Sequence, residues 1–327
     1  MRRARAIVAT LVAVMFSASG SLSPLAGIER VTAELVLADR RPVLPTGWRW
    51  ESYGGVQVGV PARFGWADSG LRLGAWCIDP PDDESPVVAR PGGGVPAIAC
   101  LGDGTRIAAT GWVVGLDHAL EPGDGLDRER DRTTVRLAGV EVVVQAPVAL
   151  RELIAGTIHR VDVDAFGCPA RHPISTRPTL RPARPVDVAA LREVSAVSVC
   201  KYELRAADAQ PWLVSGLRLD GAAADRAIQR IARAPVGGGP DNPQDCAPEV
   251  AYGDDVIVLR VRSAAGATEI VLRYSGCVGN GFDDGIAVRR LTAAAVAPFI
   301  TGPGAVYMFS GREDKAAMLV PDFRPGG

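Results

Sequence analysis

The chain has 327 residues, a formal net charge of −1, 47% hydrophobic and 22% charged residues, and 6 cysteines. That balance excludes a disordered polar chain. The absence of any basic block excludes a nucleic-acid partner recruited by charge, and the length beyond the leader favours two domains.

The first element is that leader. Arg2, Arg3 and Arg5 precede the apolar run Ala6–Phe16, and small residues follow at Ser17, Ala18 and Ser19 and again at Ala26 and Gly27. This is the layout of a secretory signal peptide, assigned to residues 1–27, with a later end near Ala38 left open. The run is shorter than the roughly 20 apolar residues of a membrane span, and no other stretch is long and apolar enough. The expectation is a secreted or cell-envelope protein with no transmembrane span in the mature chain. An uncleaved leader would instead make it a membrane-tethered sensor.

A strand-rich α+β domain is expected over 41–176, entered by a short linker, Arg40–Pro45. Val56, Val58 and Val60 alternate with Gln57 and Gly59, the period of a strand with one buried face. Leu71–Cys77 and Pro86–Ala89 are further strands, and the densely charged Glu121–Arg132 reads as an exposed loop. Thr134–Leu137 and Val140–Val144 form a hairpin about Ala138 and Gly139. Pro147 then opens the first turn of a helix carrying Leu150, Leu153 and Ile154, Gly156 ends it, and Thr157–Val163 returns as a strand.

The proline-rich Arg177–Pro185 is expected to be a linker, because proline fixes φ and restrains the residue before it. Beyond it lie a second α+β domain, 186–310, and a tail, 311–327. Ala196–Leu204 and Trp212–Leu219 are strands. Asp220 caps a helix from Gly221 to Ala234 with Ala224, Ala227, Ile228 and Ile231 on one face. Ile257, Leu259 and Val261 alternate with Arg260 and Arg262, and Ile270, Leu272 and Tyr274 with Glu269 and Arg273. The expectation is a hairpin with one apolar and one arginine-bearing face, covered on one side only. Thr292 caps a short helix reaching Ile300. Strands around one long helix, without βαβ alternation, give the fold class: α+β, two disulfide-stabilised domains of mainly antiparallel sheet with a few packed helices.

In an exported chain the even cysteine count reads as a disulfide framework whose connectivity the count alone leaves open. Proximity favours Cys77–Cys100, Cys168–Cys200 and Cys246–Cys277. There is no Cys-x-x-Cys, and His118, His159 and His172 lack metal-ligand spacing, so no cofactor is expected apart from calcium. The oxygens that would coordinate calcium belong to Asn280, Asp283 and Asp284, with Asp241 and Asp245 brought near by the Cys246–Cys277 bridge. The competing view of these residues is ordinary turn chemistry.

His159, Asp162 and Asp164 alternate along one segment, either as a solvated face or as one half of a carboxylate hydrolase site. Ser198 and Lys201 match Ser-x-x-Lys, but in a strand pattern without the companion elements that chemistry needs. Trp48, Trp50, Trp66 and Trp76 read as core rather than as sugar-stacking platforms. No catalytic residue is assigned.

The contexts GWRWESYGGVQVGVPARFGW, GAWC, FGCPARHP, VSVCKYEL, APVGGGPDNPQDC and VLRYSGCVGNGFDDG resemble those of uncharacterised secreted or cell-envelope proteins of actinobacteria, the GC-rich Gram-positive bacteria. The resemblance spans most of the chain after the leader and supplies no catalytic residues. It implies an envelope or accessory role. Export, the cysteine framework and the missing catalytic motifs give the functional expectation: an exported non-enzymatic binding or cell-envelope accessory protein, its partner an unknown envelope component or extracellular ligand. The alternative is a secreted hydrolase using the carboxylate cluster, with or without calcium assistance.

Overall fold

Runs of valine, isoleucine and threonine commit most of this chain to extended backbone, because their branched Cβ atoms pack well on a pleated surface. The computed structural model describes residues 42–66, 71–72, 76–77, 86–90, 112–130, 132–204, 213–244, 246–248 and 251–304. All of these lie in one unit, Arg40–Gly327. The leader, the tail 311–327, Asp245, Cys100 and the side chains of Cys77 and Trp76 lie outside the described residues, and with them the Cys77–Cys100 pairing.

In chain order the first strands are β1 (Trp48–Tyr53), β2 (Val56–Pro61), β3 (Gly65–Trp66), β4 (Leu71–Arg72), β5 (Trp76–Cys77) and β6 (Val87–Ala89). There follow β7 (Val113–His118), β8 (Gly125–Arg128), β9 (Arg132–Leu137), β10 (Val140–Gln145), helix α1 (Val148–Ala155) and β11 (His159–Arg160). One sheet runs β1-β2-β11 and a second β3-β6-β7-β10-β9-β8, while β4 and β5 pair with each other. Val58, Val60, Leu116, Val142, Val144 and Ile154 share the core of this half with Tyr53 and Phe64.

Several expectations change here. Every residue of β2 is buried, so the strand has two covered faces rather than one. Gln57 is tolerated there because it donates to Ser52 Oγ at 3.1 Å and accepts from the Ala165 amide at 3.2 Å. The charged 121–132 segment contains the edge strand β8, whose exposed charges protect an open edge from further pairing. The strand expected over Thr157–Val163 shrinks to β11, since Thr157 still closes the helix by donating to the Ile154 carbonyl at 2.6 Å. Pro147 stands at the N-cap of α1 rather than in its first turn. The hairpin between β9 and β10 turns as expected at Ala138 and Gly139, with φ of 54° and 78°. That pair of left-handed residues gives the tight turn whose twist suits antiparallel strands.

The second half adds β12 (Ala196–Glu203), β13 (Leu213–Asp220), α2 (Gly221–Arg233), β14 (Asp255–Ser263), β15 (Gly266–Arg273), β16 (Gly281–Asp283), β17 (Val288–Arg289) and α3 (Ala293–Val296). Its sheet is antiparallel in the order β13-β12-β14-β15-β16-β17. Ala224, Ala227, Ile228 and Ile231 of α2 bury one face of it against Val197, Val199, Ile257, Leu259, Ile270 and Leu272. Asp220 occupies the N-cap of α2, yet its carboxylate accepts from Arg218 Nε at 2.8 Å instead of capping. Thr292 does cap α3, which stops at Val296 rather than Ile300.

The opposite face of this sheet is where the expectation of one-sided cover fails. Cys168 and Ile174 sit over Cys200, Tyr202, Val256, Val258 and Val271, so half of the arginine-bearing face is a second core. The Cys168–Cys200 disulfide, with Cα atoms 5.4 Å apart, fastens the covering segment to the central strand β12. A second disulfide joins Cys246 to Cys277. The Arg177–Pro185 segment continues the cover along β15. Arg273 donates to the Pro178 and Leu180 carbonyls at 2.9 and 2.6 Å, and Thr268 Oγ1 to the Arg184 carbonyl at 3.0 Å. The architecture is thus sheet-rich α+β with two disulfides among the described residues, and such bonds belong to an oxidising environment. No helix among the described residues is long and apolar enough to cross a membrane.

Candidate functional site

Strand register assembles the site. Successive side chains on a strand alternate faces, so residues directly opposite one another across neighbouring strands form rows. Ser198 on β12 stands opposite Arg218 on β13 and Arg260 on β14, and Arg260 stands opposite Glu269 on β15. The next row on the same face is Asp220, Ala196, Arg262 and Ala267. The covering segment reaches Ser198 and Arg260 through the Phe166 and Gly167 carbonyls, and the cleft opens beside it. What remains is a cleft of about 490 Å³ whose floor is Ala196 and Ser198 and whose rim carries Arg184, Arg218, Arg260 and Arg262. Small side chains on the central strand leave the space, and long cationic ones on either side surround it.

Carboxylates on the same face pair with two of these arginines. Arg218 Nε donates to Asp220 at 2.8 Å, and Arg260 Nε lies 3.4 Å from Glu269. Arg260 Nη1 also donates to the Gly167 carbonyl, one residue before the disulfide. Glu269 stays ionised because the His172 imidazole, 3.6 Å away, holds its carboxyl below the usual range against the opposing effect of burial. Arg184 and Arg262 are exposed and form no ion pair among the described residues. With four arginines against Glu269 in its lining and Asp220 paired with Arg218, the cleft is cationic.

The Ser198 hydroxyl donates to the Phe166 carbonyl at 2.5 Å. Lys201, three residues along the strand, points to the opposite face and pairs with Asp255 at 3.2 Å. The Ser-x-x-Lys spacing therefore brings no base to the serine.

The carboxylates singled out in the sequence have backbone and arginine partners. Asp283 takes Arg181 through two nitrogens at 2.7 and 2.9 Å, the Gly285 amide at 2.9 Å and Arg273 at 3.5 Å. Burial pushes its carboxyl up, but these donors outweigh burial and hold it below the usual range. Asp284 accepts from the Val188, Ile286 and Ala287 amides at 3.0, 2.9 and 2.7 Å. Asp241 accepts from the Gly279 and Asn280 amides, both at 3.0 Å, while Asn280 Nδ2 donates to the Gly276 carbonyl at 2.7 Å. This is turn and loop organisation. Among the described residues no three His, Cys, Asp or Glu side chains gather as a metal-binding group.

His159, Asp162 and Asp164 do not share a strand face. His159 is buried with its Nδ1 2.8 Å from the Thr157 carbonyl and its ring against Trp50, and Asp162 is exposed. Trp48 and Trp66 pack against the core.

Asp164 is buried and organises the segment that walls the cleft, accepting from the Phe166 and Cys168 amides at 2.9 and 2.8 Å. Burial pushes its carboxyl above the ordinary value despite those bonds. Such a group destabilises the fold once ionised, so its cost is absent below the unfolded value and grows as pH rises through the folded one. Asp164→Asn, which keeps the acceptor and removes the charge, is expected to match or exceed the parent at pH 7 and to lose that advantage in acid. Asp164→Ala, which strands both amides, is expected to cost about 1–3 kcal/mol. Urea midpoints from pH 4 to 8 check both; an Asn variant as unstable as the Ala variant at pH 7 contradicts the assignment.

The arginine row was visible in the sequence only as the polar face of a hairpin. Neither Arg218 nor Ser198 carried any signal of it. No family model, no curated protein and no solved structure matches this chain.

Proposed function

We propose that this is an exported, non-enzymatic binding protein that serves as an accessory of the cell envelope and receives an envelope or extracellular ligand in the arginine-lined cleft. The observation that carries this reading is the half-open sheet face. A disulfide-anchored loop covers the sheet as far as Ser198, and beyond it the floor is small and the rim cationic. Two disulfides support an oxidising compartment, which fits the leader. The commitments of Ser198 and Lys201 to other partners favour binding over nucleophilic catalysis. In this reading the two cores are two domains, 41–176 and 186–310, with Arg177–Pro185 and the Cys168–Cys200 bridge between them.

The test is retention of the purified, oxidised full-length protein on isolated envelope material. It should co-sediment at low ionic strength and be released near 1 M salt, where charges are screened beyond about 3 Å. Absence of retention on peptidoglycan, polysaccharide and surface-protein fractions alike overturns the proposal.

A further inference from the structure

We infer that the cleft is a site for a ligand bearing two linked phosphate groups, one held by Arg218 and Arg260 and the other by Arg262 and Arg184. This deepens the binding reading above and rests on it. Neighbouring antiparallel strands lie about 4.8 Å apart, so the Cα atoms of Arg218 and Arg260, one strand to either side of Ser198, are about 10 Å apart. Arginine side chains are long enough that two at that separation can share one tetrahedral oxyanion. Arg262 is two residues farther along β14, about 7 Å away on the same face, and Ala196 keeps the floor clear beneath it.

The arrangement of the paired carboxylates supports the same assignment. Asp220 engages Arg218 through Nε, and Glu269 lies nearest Nε of Arg260. Because Nε is the Arg218 nitrogen that donates to Asp220, its two terminal nitrogens supply the planar fork that phosphate oxygens accept from in pairs. Arg260 is restrained further by its bond to the Gly167 carbonyl, which lowers the ordering cost of binding there. The two arginine pairs set the number of groups. Four arginines against Glu269 and the Asp220 paired with Arg218 give a balance of 4 − 2 = +2. A diphosphate, at about two to three negative charges, neutralises that charge across both pairs.

The experiment is isothermal titration of the oxidised full-length protein with pyrophosphate, inorganic phosphate and citrate. Pyrophosphate is expected to bind at one site per chain, at least about tenfold more tightly than phosphate or citrate. Arg218→Gln and Arg262→Gln should each weaken it by about tenfold or more. Arg262 is exposed, so its variant leaves folding intact, and the thermal midpoint of each variant confirms this. Equal binding of citrate and pyrophosphate, or variants that bind as the parent does, overturns the assignment. Envelope retention without pyrophosphate binding overturns this inference and leaves the broader proposal standing. Pyrophosphate binding without envelope retention does the reverse.

Discussion

Replacing Cys168 and Cys200 together by alanine is expected to lower the stability of the oxidised protein by about 3–4 kcal/mol. The bridge closes a segment with a sequence separation of 32, and the entropy such a cross-link removes from the unfolded chain corresponds to about that energy. Both cysteines are fully buried in a core with Ile174, Tyr202 and Val258, so alanine also leaves small cavities and adds to the loss. Urea unfolding measures it directly. The midpoint should fall for the double variant, and reducing the parent protein should remove much of the difference. The consequence reaches the cleft, because the Gly167 carbonyl that anchors Arg260 belongs to the segment this bridge fastens down. Pyrophosphate affinity should therefore fall in the variant even under conditions where it remains folded. Unchanged midpoints would show that the Asp164 turn and the apolar contacts of Ile174 hold the segment without help from sulfur.

What could be read from the sequence was whatever depends on neighbours along the chain. The strict alternation through Ile257–Val261 and Ile270–Tyr274 located β14 and β15, and the spacing of Ala224, Ala227, Ile228 and Ile231 located the buried stripe of α2. Two left-handed residues made the turn between β9 and β10. The misreadings share one cause, which is that burial depends on what the rest of the chain lays over a strand. Gln57 looked like a solvent-facing residue until the Ala165 amide, 108 positions away, was found bonded to it. Asp283 looked like a cation ligand because its partner Arg181 lies 102 positions earlier, inside a segment whose prolines suggested a linker. Gly216 gave no signal at all, yet a Cβ there would overlap the Asp164 carboxylate and meet the Phe166 ring at 3.0 Å. The cleft belongs to the same class. Arg218, Ser198, Arg260 and Glu269 form a row only through the register of four strands, and local periodicity carries no information about which rows align.

Glu51→Ala is expected to destabilise the fold by about 3–5 kcal/mol, because it breaks a buried charge network from one side only. The Glu51 side chain is 2% exposed and its two oxygens serve three donors. Arg49 Nε binds one oxygen at 2.7 Å and Trp66 Nε1 the same oxygen at 3.0 Å, while Arg90 Nη2 binds the other at 2.6 Å. Arg90 is itself only 9% exposed and uses its Nε to reach the Val214 carbonyl of β13 at 3.0 Å. Without the carboxylate that guanidinium stays buried beside β1 with no counter-charge, which is the costly state. Replacing both members with apolar residues removes the orphan as well as the pair, so Glu51→Leu combined with Arg90→Met should cost clearly less than the sum of the two single changes. Urea unfolding of the four proteins in this cycle gives the coupling. Strict additivity would mean that Arg90 finds solvent when Glu51 is gone, and that the link from β1 to β13 is held by the Gly54 amide on the Leu213 carbonyl and by Val214 in the neighbouring core. A large coupling would instead make this ion pair the point at which damage in the first half of the chain is transmitted to β13, the strand that carries Arg218 to the cleft.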